Sequence, residues 1–158
     1  MKEKKLRSIG KTEEEQLMNL SMGPIPKNKG KKIDFLLEQV KSNLTPDLLK
    51  PAYRDQNKTN PMYGHCYIAT ECMYHLMAPT DYFPHWGKDE DGITHWWLED
   101  SSGKIIDATK EQYTLLNKTP PYDKGRRSWF LTNKPSKRTQ ELMDRLDQWK
   151  KREPIGQK

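Results

Sequence analysis

The segment from Ile93 to Ala108 constrains the fold more than any other part of the chain. Ile93-Thr-His-Trp-Trp-Leu98 and Lys104-Ile-Ile-Asp-Ala108 are two short β-prone runs. The five residues Glu99-Asp-Ser-Ser-Gly103 join them as a turn, so the segment predicts an antiparallel hairpin over 93–98 and 104–108. Pairing Leu98 with Lys104 sets His95 opposite Asp107, Trp96 opposite Ile106 and Trp97 opposite Ile105. Directly opposed residues share a face, with Cβ atoms ~5 Å apart. A carboxylate and an imidazole then meet across two strands, and a slip of one residue would part them.

Helices are expected on either side of the hairpin. Ile33, Leu36, Leu37 and Val40 form one apolar helical face. Cys66, Ala69, Met73, Leu76 and Met77 form another over about 66–78, stopped by Pro79. Thr139, Leu142, Met143, Leu146 and Trp149 line a third, over about 135–152. Thr12 and Glu15 make a capping box for a short helix over about 13–21. Thr109 and Gln112 repeat that pattern before a short helix near 109–116. Pro46 and Pro51 bracket a single turn, and residues 52–64 and 79–92 read as loops. Residues 126–132 read as a third strand. The expectation is an α+β fold: N-terminal helices, a short antiparallel sheet, and a C-terminal helix packed on it. Residues 1–32 read as a flexible basic segment, 33–153 as one globular domain and 154–158 as a tail.

The chain has 158 residues and a net charge of +6. It has no apolar run long enough for a membrane span. Nothing after the charged start Met-Lys-Glu-Lys-Lys resembles a secretory signal. Two cysteines are too few for a disulfide scaffold, so reduced thiols and a cytoplasmic location are expected. A basic balance suggests a polyanionic partner, but the charge is unevenly spread. Residues 1–32 carry +5 and residues 124–158 carry +7, around a middle of −6 that holds every histidine and both cysteines. Chemistry is therefore expected in the middle.

Cys66 follows Gly64-His65 at the start of a predicted helix. Backbone N–H groups and the helix dipole favour a thiolate there. With His95 as base and Asp107 as orienting acid, the set can activate a thiol to attack a carbonyl. The Cys66 N–H is a candidate oxyanion-hole donor, and Asn60, six residues upstream, is a second. Tyr63, His65, Trp86, Trp96 and Trp97 are candidate pocket walls. The simpler readings stand beside these. Cys66 is a buried small hydrophobe, Asp107 caps the helix near Thr109, and His65 is an alternative base or a polar helix-start residue.

His95-Trp-Trp-Leu-Glu99 followed by Gly103-Lys-Ile-Ile-Asp-Ala-Thr109 resembles the His-x-Trp and Asp-x-Thr stretch of transglutaminase-like cysteine enzymes. The resemblance covers residues 60–110 and implies Cys66 as nucleophile, His95 as base and Asp107 as orienting acid. The papain-like group follows the same logic, with an oxyanion-hole Gln six residues before its Cys; Asn60 stands there in this chain. Gly64-His-Cys-Tyr-Ile-Ala69 fits the family's nucleophile segment only loosely. Residues 63–140 also resemble small bacteriophage-type proteins, which implies no activity. The implied substrate is a protein or small-molecule acyl compound: an amide, ester or thioester.

Other chemistries are less well served. Cys66, Cys72, His75, His85 and His95 match no zinc-module spacing, so no metal and no cofactor is expected. Glycine-rich phosphate loops are absent. Arg126 and Arg127 beside Trp129 and Phe130, and Lys137 and Arg138 in the first turn of the last helix, are candidate anion-binding residues. They carry the alternative function: a non-catalytic nucleotide- or nucleic-acid-binding accessory protein of phage or counter-defence type, with its basic ends as the grip.

Overall fold

The computed structural model describes residues 27–152, with side chains through Leu146. The expected helix over 13–21, the tails and the Trp149 side chain lie outside the described residues. Five α-helices and a four-stranded antiparallel sheet make a mixed α/β fold among the described residues.

Helix α1 spans Lys29–Ser42. It starts earlier than its apolar face suggests because the Asn28 side chain caps it, accepting from Lys31 N at 3.1 Å. Two 3₁₀ turns follow, Pro46–Leu48 and Pro51–Tyr53. A single helical turn, α2 (Arg54–Asn57), lies inside the expected 52–64 loop. Helix α3 spans Cys66–Met77. It packs between the sheet on one side and α1 with the C-terminal helix α5 (Lys137–Arg152) on the other. Ile68, Ala69, Cys72 and Met73 of α3 meet Leu36 and Val40 of α1, Leu98 and Ile106 of the sheet, and Leu142 and Leu146 of α5 in one buried cluster. Burying such side chains contributes about 1.5–3 kcal/mol each.

The sheet has the order β3-β2-β1-β4. Strand β1 (Phe83–Lys88) pairs with β2 (Thr94–Glu99) along its whole length. It occupies a segment that its Pro and Gly mark as loop. Pro84 fits because its carbonyl accepts from Ser128 N at 3.0 Å while the two-residue β4 (Arg126–Arg127) requires no N–H there. The expected third strand over 126–132 shrinks to β4, and it pairs with β1 rather than with the hairpin. Asp89 builds the β1–β2 turn, its Oδ1 accepting from Asp91 N and Ile93 N at 2.9 Å each.

Strand β3 (Ile105–Ile106) corrects the expected register. Leu98 faces Ile106, not Lys104, and Glu99 faces Ile105. The cause is the turn: Asp100 N donates to Lys104 O at 3.0 Å, and Asp100 Oδ1 accepts from Lys104 N at 2.8 Å. These bonds draw the turn tighter and move its closing pair outward. A shift of two residues preserves the face of every side chain. His95 and Asp107 therefore stay on one face as diagonal neighbours instead of direct opposites. A short helix, α4 (Glu111–Thr114), follows β3. Thr109 does not cap it as a capping box would; its hydroxyl turns back to Asp107 Oδ1 at 3.4 Å.

Candidate active site

Cys66 is the first residue of α3, brought there by a tight approach. Gly64 has φ +87°, and a Cβ on it would meet Leu49 Cδ2 at 2.9 Å. Only glycine suits that turn. Upstream, the buried Asn57 side chain donates to the carbonyls of Pro61 (2.8 Å) and Tyr63 (3.0 Å), which shapes the approach loop. No side chain caps α3, so the N–H groups of its first turn retain their donor capacity. Cys66, Tyr67 and Ile68 of that turn line a cleft of about 1120 Å³.

His95 reaches the same region from β2. It is completely buried, between the stacked ring of Trp97 (5.9 Å) and the edge of Tyr113 (4.9 Å). Its Nε2 lies 2.7 Å from Asp107 Oδ2. Asp107 is itself held: Oδ2 accepts from Tyr122 Oη at 2.8 Å, and Oδ1 from Thr109 N at 3.0 Å. Tyr122 arrives on the 121–125 loop, which lies flat against β1 and β2. A Cβ on Gly125 would stand 2.3 Å from the Trp97 ring. Burial alone would lower the pKa of His95. The Asp107 hydrogen bond and charge, with Cys66 close to the ring, outweigh it and raise the pKa to about 9.

The Cys66 thiol, 8% exposed, donates to Thr94 O at 3.7 Å. His95 Nδ1 has no hydrogen-bond partner among the described residues. The carboxylate therefore occupies one ring nitrogen and leaves the other open, with the thiol close enough to favour the imidazolium.

The remaining candidates divide. Tyr63 and Trp96 line the cleft with Cys66. His65 and Trp97 do not: both are fully buried. His65 points inward as α3 begins, and both its ring nitrogens lack partners. Burial pulls its pKa down to about 4. Trp97 lies on the opposite sheet face from Trp96 and backs His95. Trp86 sits outside the cleft, in contact with Trp96 at 6.5 Å and under the Arg126 guanidinium at 5.2 Å. Arg127 covers Phe83 at 3.7 Å. Lys137 and Arg138 line the Cys66 cleft, so the four candidate anion-binding residues form two separate pairs. Asn60 is drawn away from its expected place. Its Nδ2 donates to Gln112 O at 2.9 Å, and it lines a neighbouring hollow. Gln112, buried and with Oε1 unpartnered, takes the position between the two spaces.

Sequence reasoning passed over Tyr122 and Tyr113, and read Gln112 only as a capping-box residue. No local pattern ties Tyr122 to a carboxylate fifteen residues away; only the close packing permitted by Gly125 does. Cys72 is fully buried, and burial with the nearby Glu71 carboxylate pushes its thiol up to about 12. No group of three or more metal-ligating side chains stands together among the described residues. No helix among them is long and apolar enough to cross a membrane. Comparisons with protein-family models, curated proteins and solved structures find no match.

Proposed function

We propose that the chain is a cysteine-nucleophile hydrolase or acyltransferase with a transglutaminase-like or papain-like core. One observation supports this above the others: His95 is held on Asp107 through Nε2, its Nδ1 has no partner among the described residues, and Cys66 lies close enough to act on the ring. His65, equally buried, has neither a carboxylate on its ring nor a place on the cleft; what sets His95 apart is the Asp107 carboxylate on one nitrogen with Cys66 near the ring.

The reaction runs in two halves. His95 Nδ1 takes the Cys66 proton as the sulfur turns from Thr94 O and attacks the acyl carbon, forming the C–S bond. The tetrahedral oxyanion is met by the N–H groups of the first turn of α3, Cys66 N–H among them. His95 then protonates the departing amine, alcohol or thiol as its bond to carbon breaks, leaving a thioester on Cys66. Water or an amine, deprotonated by His95, attacks the thioester and restores the thiol. Asp107 fixes the ring tautomer and stabilises the imidazolium throughout, and Tyr122 and Thr109 hold Asp107.

p-Nitrophenyl acetate with intact-protein mass spectrometry tests the reading. The expected result is a burst of nitrophenolate with one acetyl group mapped to Cys66. Both should fall by about 10²-fold or more in Cys66→Ser and His95→Ala. Equal turnover in Cys66→Ser would contradict it. The non-catalytic nucleotide-binding reading has less support. Of its expected patch, Arg126 and Arg127 lie instead over Trp86 and Phe83, and Phe130 packs against Tyr67, Tyr74 and Trp96, which leaves Trp129 as the exposed ring.

A further inference from the structure

We infer that the acyl substrate of Cys66 carries an anionic group, a carboxylate or a phosphate, received by Lys50, Lys137 and Arg138. This inference rests on the cysteine chemistry proposed above and adds the substrate class. Five charged residues line the Cys66 cleft: Asp47, Lys50, Lys137, Arg138 and Glu141. The two acids are already paired. Arg145 holds Asp47 at 2.5 Å and Glu141 at 3.5 Å. Arg145 is in turn fixed by Asn43 O at 3.3 Å and Thr45 Oγ1 at 2.7 Å. The three cations have no ion-pair or hydrogen-bond partner among the described residues. What remains for a ligand in the cleft is therefore positive charge.

The placement of two of these cations has no rationale in stability. Lys137 and Arg138 begin α5, whose first turn contains no acidic residue. Cations there oppose the helix dipole. That helix end already has a cap: Ser136 Oγ accepts from Thr139 N at 3.4 Å, and the buried Glu71 carboxylate accepts from Ser136 N at 3.1 Å and from Thr139 Oγ1 at 2.7 Å. The cap fixes where the helix starts, and hence where the two cations stand beside the cleft. A local rule broken without a compensating contact marks a functional position. Tyr63 and Trp96 on the same cleft add flat apolar walls, so the favoured ligand is an anion with a planar or apolar portion. Clefts lined by one sign of charge raise the encounter rate of the opposite sign by 10-fold or more.

Two aromatic disulfides of opposite character read this directly. 5,5′-Dithiobis(2-nitrobenzoate) is a dianion and 4,4′-dithiodipyridine is neutral at the working pH. In both cases the Cys66 sulfur attacks, the S–S bond breaks and one aryl thiolate leaves. Rates are measured on the full chain at pH 7 and normalised to N-acetylcysteine amide, with Cys72 replaced by Ala. The anionic-to-neutral rate ratio should exceed that of the free thiol by about tenfold. It should fall towards the free-thiol value in the Lys50→Gln/Lys137→Gln/Arg138→Gln variant and at 1 M salt, an order-of-magnitude choice for full screening. A wild-type ratio no higher than that of the free thiol, or one unmoved by the triple variant, overturns the anionic substrate while leaving the nucleophile intact. A neutral-reagent rate no faster than the free thiol overturns the nucleophile reading, and the substrate class falls with it. Added phosphate and acetate at matched ionic strength separate the two anions. Selective protection of Cys66 by phosphate assigns a phosphate-bearing substrate, and selective protection by acetate assigns a carboxylate. Protection by neither counts against an anion subsite.

Discussion

Asp107 accepts from His95 Nε2, Tyr122 Oη and Thr109 N. Together these bonds fix the carboxylate against the His95 ring. Asp107→Asn removes the charge while keeping the shape. The His95 titration, followed by its ring-proton NMR shift, should move down from about 9, because burial is then opposed without the Asp107 charge. His65 behaves in the opposite way. Its folded pKa of about 4 lies below the unfolded 6.5, so its neutral burial stabilises fully above pH 6.5 and less as pH falls towards 4. The His95 contribution is complete below pH 6.5 and is lost as pH rises through 9. Urea unfolding should therefore give a stability maximum near pH 6.5, with limbs of at most about 1.4 kcal/mol per pH unit. His65→Leu should flatten the acid limb and Asp107→Asn the alkaline one. Limbs unchanged in both variants would refute these assignments.

At the scale of elements, α3 was the most legible because its apolar stripe has a helical period and Pro79 follows it. Strand β1 was not legible. Phe83-Pro-His-Trp-Gly-Lys88 breaks local β preference, and only its pairing along β2 makes it a strand. The hairpin was legible in existence and face but not in register, because Asp100 side-chain bonds decide how the turn closes. Packing sets the mutational costs. Leu98→Ala, at the centre of the α3–sheet contact, should cost 2–5 kcal/mol in chemical denaturation, by the usual range for Leu truncation. Leu131→Ala, 87% exposed, should change stability by less than about 0.5 kcal/mol. Gly125→Ala should push the 121–125 loop off Trp97. It should weaken the Tyr122–Asp107 bond and lower the His95 pKa along with stability. A His95 titration unaffected by Gly125→Ala would show that the loop does not position Tyr122.

At the scale of the whole fold, Cys66, His95, Asp107 and a set of cations gather at one seam. The acidic middle of the sequence contributes the helix start, the two strands and the carboxylate, and the basic C-terminal segment returns to it through Lys137 and Arg138. The placement of Cys66 at a helix start and the meeting of His95 with Asp107 were legible because each stands at a position with local meaning: a helix start, a strand face and an Asp-x-Thr turn. Tyr122, Gln112 and Lys50 were not, because tertiary packing alone brings them in. The decisive measurement is the pH profile of Cys66 carboxamidomethylation by limiting iodoacetamide, mapped by mass spectrometry. The wild-type chain should modify Cys66 at pH 6 at least about tenfold faster than Cys72 or a free thiol, whose thiolate is scarce there. His95→Ala should return it to free-thiol behaviour. A wild-type profile that follows the free thiol, or one unchanged by His95→Ala, would contradict a Cys66–His95–Asp107 unit.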